Sequence, residues 1–294
     1  MAQFDRRTFL LGTTTLALTA ACGTSDDVSV FGAGGTGEIA FLIPVFATGA
    51  RQDPTVVAGA PQRLTFIVAD PIDNLREQAP AALDIRIEQA GELLVEANVS
   101  RRADGIITPY FPLTIAFDEP GEYSASLPGH PEVAAVSFTV VDADQVPLPQ
   151  VGDRIEPTAT PTIEDDQGVS PICTRAIPCP FHDVSHADVA INGRPTVLLV
   201  ATPGFCQTDI CGPVVDLLID AAADRDDLDI IHAEVYVDPS DFASGSFPEL
   251  TSIVQATHLP FEPVLFVLDG DGVVLARVDT TFDRSELAEA IALV

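Results

Sequence analysis

The chain has 294 residues, 47% of them hydrophobic, and sets 14 basic against 44 acidic residues for a net charge of -30. That apolar fraction supports sizeable cores and excludes a chain disordered throughout, and the length leaves room for two domains. The negative charge repels phosphate and excludes nucleic-acid binding driven by counter-ion release.

The first expected element is an export signal over residues 1–21. Asp5-Arg6-Arg7-Thr8-Phe9-Leu10 gives a charged start, an apolar and threonine-rich stretch of about thirteen residues comes next, and small residues run into Cys22. Such a stretch is too short to span a bilayer stably. Arg6 and Arg7 with Phe9 and Leu10 resemble a twin-arginine export signal. The small residues before Cys22 resemble a lipoprotein processing site, which implies Cys22 as the lipid attachment point. Thr19 stands where such sites usually carry leucine, so a soluble secreted form stays as the alternative. The expected location is extracytoplasmic, held to the cell membrane through lipid.

After a spacer over residues 22–37, residues 38–141 show short runs rich in Val, Ile and Phe, broken by turn residues. Strands are expected at Ile39-Phe46, Gln62-Val68, Leu83-Gln89, Leu93-Val99, Leu113-Phe117, Gly121-Ser126 and Ala135-Val141. This spacing points to an antiparallel β-sandwich. Glu119-Pro120-Gly121-Glu122-Tyr123 resembles the tyrosine-anchored corner of immunoglobulin-like domains. Residues 142–171 then change character, with prolines at 147, 149, 157, 161 and 171. Proline fixes the backbone and removes donors, so this is an extended linker or a strap lying on the next domain.

Residues 172–294 alternate. Strands are expected at Thr196-Ala201, Leu228-Val237, Pro263-Leu268 and Gly272-Val278, and helices at Pro213-Ala223, Phe247-Ala256 and Arg284-Leu293. Asp269-Gly270-Asp271-Gly272 supplies a tight turn between the last two strands.

The chemistry concentrates in Phe205-Cys206-Gln207-Thr208-Asp209-Ile210-Cys211-Gly212-Pro213. Two thiols at a strand-to-helix junction can be oxidised to a disulfide, and the positive end of a helix dipole favours the thiolate. Residues five apart on a regular helix are rotated by about 140°, so Cys206 belongs to the loop. Gly212 as cap and Pro213 at the first helical position put Cys211 just ahead of the helix.

The element order, the aromatic Phe205 before the first cysteine, the pair itself and Pro263 ahead of a strand resemble the thioredoxin-like family. The resemblance covers the C-terminal part only, and the four residues between the cysteines depart from the family's two or three. It implies an α/β thioredoxin-like fold after the sandwich, Cys206, Cys211 and Pro263 as site residues, a cis bond before Pro263, and no organic cofactor. Cys206 is favoured as the nucleophile with Cys211 resolving, although Cys211-Gly212-Pro213 also copies the start of the family's Cys-Gly-Pro-Cys motif. Asp209 and Glu262 bring negative charge near the thiols, which raises a thiol's pKa.

Cys173 and Cys179 form a second close pair in a proline-rich stretch. A structural disulfide stapling that stretch is the favoured reading. A second redox pair, or a metal site shared with His182 and His186, are its alternatives. His258, five residues before Pro263, is expected to be an ordinary surface histidine.

These features combine into an expected extracytoplasmic thiol–disulfide oxidoreductase acting on exported proteins. A non-catalytic surface binding protein with structural disulfides and a copper(I) chaperone are the alternatives.

Overall fold

The computed structural model describes residues 38–46, 55–71, 79–205 and 210–294. The expected signal, Cys22 as the expected lipid attachment point, the expected spacer over 22–37 and Cys206 lie outside the described residues. Residues Gly35–Val294 fall in one compact unit.

The N-terminal part is built from β1 (Phe41–Pro44), β2 (Val56–Val57), β3 (Pro61–Ala69), β4 (Ala82–Gln89), β5 (Glu92–Ser100), β6 (Phe111–Ala116), β7 (Gly121–Ser126) and β8 (Val136–Val141). They form a sheet in the order β1-β3-β6 and a second in the order β2-β8-β7-β4-β5. Only the short β2 has no counterpart among the expected strands. Alternation explains the assignment: along β4, Leu83, Ile85 and Ile87 turn inward while residues between them face out. Both sheets share one core, where Phe46 of the β1 edge meets Phe66 of β3 and Phe138 of β8 with ring centroids 5.2 and 5.3 Å apart. The Tyr123 hydroxyl donates to the Glu119 carbonyl at 2.7 Å and pins the corner entering β7.

Residues 142–171 do not hang between two bodies. Val146, Leu148 and Ile155 are buried, and Gly152 N donates to the Val274 carbonyl at 2.8 Å while Val274 N returns to Asp153 at 2.8 Å. The segment is a strap along the last strand of the next sheet.

The C-terminal part contains α1 (His186–Val189), β9 (Thr196–Val200), α2 (Cys211–Ala222), β10 (Asp229–Ala233), α3 (Asp241–Ser244), α4 (Ser252–Thr257), β11 (Val264–Leu268), β12 (Val274–Asp279) and α5 (Arg284–Ile291). Its sheet runs β10-β9-β11-β12. Strands β10 and β9 are parallel, and β11 is antiparallel to both of its neighbours. Successive residues of the wholly buried β9 face opposite sides, so Val197 and Leu199 join the core under α2 and α5, while Leu198 and Val200 join the core on the other face.

This corrects the expected fold class, a sandwich followed by an α/β thioredoxin-like fold. Among the described residues three sheets dominate the molecule, and of five α-helices only α2, with 12 residues, and α5, with 8, exceed six residues. Proline and turn chemistry cut the helices short. The helix expected from Phe247 begins only at Ser252, because Pro248 lies in an extended segment whose Glu249 carbonyl accepts from Val237 N at 2.8 Å.

The turn between β11 and β12 closes with Gly272 N donating to the Asp269 carbonyl at 3.0 Å. Gly270 in this turn lies against the backbone of Gly193, and an added Cβ would run into the Gly193 carbonyl. Gly270→Ala is expected to lower stability by about 1–3 kcal/mol, read as a shifted urea midpoint. Gly129→Ala, where an added Cβ meets nothing within 4 Å, should stay within about 0.5 kcal/mol.

Candidate functional site

Cys211 is the first residue of α2, two positions earlier in the helix than the sequence suggests, and it is buried. Pro213 falls in the first turn, where its missing N–H has no intrahelical partner to lose. The cap residue Ile210 offers no side-chain acceptor, and the first turn carries no acidic residue. The positive end of the helix favours the thiolate at that sulfur. A recess of about 200 Å³ lined by Arg175, Ala176, Ile177, Pro203, Gly212 and Asp216 opens beside the helix start.

The loop after β9, which leads toward Cys206, is held from two sides. Thr202 N donates to the Glu262 carboxylate, and Glu262 precedes Pro263, the residue just before β11. The Glu262–Pro263 peptide is cis. On the other side Gly204 N donates to Thr174 Oγ1 at 2.7 Å, and Thr174 N donates to Glu234 Oε1 at 2.6 Å. Burial pushes the Glu234 carboxyl up to about 8 and raises that of Glu262 as well. At the end of the loop Phe205 is 50% exposed and leads an aromatic patch with Tyr236, Phe242 and Phe247.

Cys173 and Cys179 depart from the expected staple. Both are free thiols in this structure, with sulfurs 4.0 Å apart, about twice a disulfide bond. Two imidazoles converge on them. His182 Nε2 is 3.2 Å from Cys179 Sγ, and His232 Nδ1 is 3.3 Å from Cys179 Sγ and 3.9 Å from Cys173 Sγ. All four side chains are buried. The contact with Cys179 pulls the Cys173 thiol below its ordinary range, and the same contact pushes Cys179 up.

The alternative metal site paired His182 with His186, but the two separate. His182 lies in an irregular segment, and His186 opens α1 with Nδ1 accepting from Thr158 N at 3.3 Å. His258 is exposed at the end of α4 in a left-handed conformation. His232 and Glu234 were missed. They sit two apart near the end of a strand that otherwise reads as apolar, so both face one side. His232 lies opposite Leu199 of β9, which places it in the α2 core together with Cys173, Cys179 and Cys211. A histidine and a glutamate at that spacing inside an apolar run were the available signal.

Burial also lowers the pKa of His186, whose ring is fully enclosed. The folded chain then keeps this ring neutral while the unfolded chain takes up a proton below about pH 6.5. The resulting stability is complete above that value and is lost as pH falls through the lowered pKa, with a slope approaching about 1.4 kcal/mol per pH unit. Denaturant midpoints at pH 7.5 and 5 are expected to diverge less in His186→Gln than in the parent chain.

No protein-family model matches the chain, and no curated protein matches it.

Proposed function

We propose that the chain is an extracytoplasmic thiol–disulfide oxidoreductase that exchanges disulfides on exported proteins through Cys206 and Cys211. The observation that carries this reading is Cys211 in the first turn of a 12-residue helix, with the described start of the loop before it tied to the Pro263 turn through Thr202 and Glu262. A helix N-terminus stabilises thiolate.

The exchange balances in two steps. The Cys206 thiolate attacks one sulfur of a client disulfide, forming a mixed disulfide and releasing the other client sulfur as thiolate. Cys211 then attacks Cys206 Sγ, which leaves a Cys206–Cys211 disulfide and a fully reduced client. Two electrons pass from the pair to the client, and the reverse sequence oxidises a client dithiol. The exposed Phe205 and Phe247 beside the loop, and the recess next to Gly212, give room and apolar surface for an extended client segment. Attachment through Cys22 would hold this chemistry at the membrane surface.

Equilibration of the pair against a graded glutathione or dithiothreitol buffer tests the reading. A midpoint within the range of known exchangers, roughly -120 to -270 mV, supports it. A pair that resists reduction down to well below about -300 mV is a structural disulfide and ends it.

A further inference from the structure

The segment from Cys173 to His182 contains no helix or strand, yet it is packed into the α2 core and threaded against β10, where His232 N donates to the Phe181 carbonyl at 3.0 Å. A complete set of four ligands converges there. Cys173 Sγ, Cys179 Sγ, His182 Nε2 and His232 Nδ1 all lie within 4.8 Å of one another. In a tetrahedral zinc site with Zn–S about 2.3 Å and Zn–N about 2.0–2.1 Å, neighbouring ligand atoms stand about 3.3–3.8 Å apart. The close pairs here measure 3.2 to 4.0 Å.

The orientation of His232 is fixed in the required sense. His232 Nε2 is 3.0 Å from the Ala201 carbonyl, and a carbonyl can only accept, so Nε2 carries the hydrogen and Nδ1 keeps its lone pair toward the sulfurs. A second hydrogen bond of this kind sets tautomer and aim in metal-ligating histidines. Charge selects the ion. Two thiolates and two neutral imidazoles around a divalent cation sum to zero, and a neutral complex suits a site closed to water. Two sulfurs and two nitrogens converging at these distances suit zinc.

We propose that Cys173, Cys179, His182 and His232 form a four-coordinate structural zinc site that pins the irregular 173–182 segment to β10. Binding releases the two thiol protons to solvent and forms two Zn–S and two Zn–N bonds, with no change of oxidation state. The pin also sets Thr174, one residue from a ligand, and through its contact with Gly204 N the loop leading to Cys206. The site is separate from the proposed exchange pair and stands whether or not that pair is active.

The test is zinc content and ligation in the full chain expressed under reducing conditions. One zinc per chain is expected, with Cys179→Ser and His232→Ala binding zinc more than about a hundredfold more weakly, beyond the 10–100-fold cost of losing only a supporting partner. Because those variants remove buried groups and could misfold, zinc X-ray absorption is read on the Cys206→Ser, Cys211→Ser double variant, which keeps the cluster intact. Two sulfurs at about 2.3 Å and two nitrogens at about 2.0–2.1 Å are expected there, and with Cys22→Ser added to the double variant only Cys173 and Cys179 remain to supply both sulfurs. A chain that takes up no zinc when reduced, that loses its zinc in the double variant, or that carries a Cys173–Cys179 disulfide by peptide mass spectrometry overturns the proposal. Loss of disulfide exchange with zinc retained in the double variant would separate the two sites.

Discussion

Glu286→Ala is expected to lower stability by about 3–5 kcal/mol, measured as the free energy of unfolding in urea at neutral pH. Glu286 on α5 receives a bidentate pair from Arg63 of β3, Nε to Oε1 at 2.6 Å and Nη2 to Oε2 at 2.7 Å, and also the hydroxyl of the buried Tyr110. The arginine is 12% exposed and the glutamate 14%. Remaining donors of Arg63 reach the carbonyls of Asp279 at 2.9 Å and Thr281 at 2.6 Å. Removing the carboxylate strands a guanidinium in a place where water cannot reach it well. Burial together with Glu286 holds the Tyr110 phenol well above its ordinary pKa, so its hydroxyl stays a donor throughout the physiological range and would also lose its acceptor. Replacing both charges, as in Arg63→Met with Glu286→Leu, should recover much of the loss because no lone charge is left. Arg102 and Glu289 supply the control. Their bridge measures 2.8 Å but Glu289 is 62% exposed, so Glu289→Ala should cost less than about 1 kcal/mol. Equal losses in Glu286→Ala and Glu289→Ala would remove the argument.

The largest functional effect is expected at the two cysteines of the loop and helix start. Cys211 is buried in the core under α2, so a client disulfide has no direct route to its sulfur, and the first attack falls to Cys206. Cys206→Ser should therefore reduce exchange on a model disulfide substrate to the uncatalysed background. Cys211→Ser should behave differently, completing the first attack and then stalling. Its product is a mixed disulfide that accumulates with exported proteins and is released by added dithiol. The two variants thus give opposite trapping results from nearly identical changes. If Cys206→Ser traps clients and Cys211→Ser does not, the order of attack is reversed. Trapping by neither would leave the pair without an exchange role.

Much of the local structure was legible. The apolar alternation in Leu83-Asp84-Ile85-Arg86-Ile87 specifies a half-buried strand, and Glu119-Pro120-Gly121 marks the corner that Tyr123 closes. The Asp269-to-Gly272 turn was equally plain. The fold class built from these parts was not. A succession of alternating strands and helices carries no information on how much of each survives, and Pro248 and Gly245 reduce two stretches of the C-terminal part to helices of 6 and 4 residues. The start of α2 was misread for a related reason, since proline is compatible with any of the first helical positions and Pro213 does not fix which. Three of the four residues of the cysteine–histidine cluster were visible. Cys173, Cys179 and His182 are close in sequence, but the fourth member arrives from β10, fifty residues further on, and no spacing rule reaches that far. The sequence reading paired His182 with the nearby His186 instead, whereas the backbone around His182 is irregular.

The Arg63–Glu286 and Arg102–Glu289 pairs both join the N-terminal part to α5, and Asp283 accepts from the amides of Ala103 and Asp104 at 3.1 Å each. Val57 of β2 is buried in the same cluster as Val146, Leu148 and Phe266. Truncation anywhere near residue 142 would strip α5 of its cationic partners and open that cluster to water. Neither fragment inherits a finished surface, so the chain should melt in a single cooperative step, and a recombinant C-terminal fragment is the wrong starting point for assaying the cysteines.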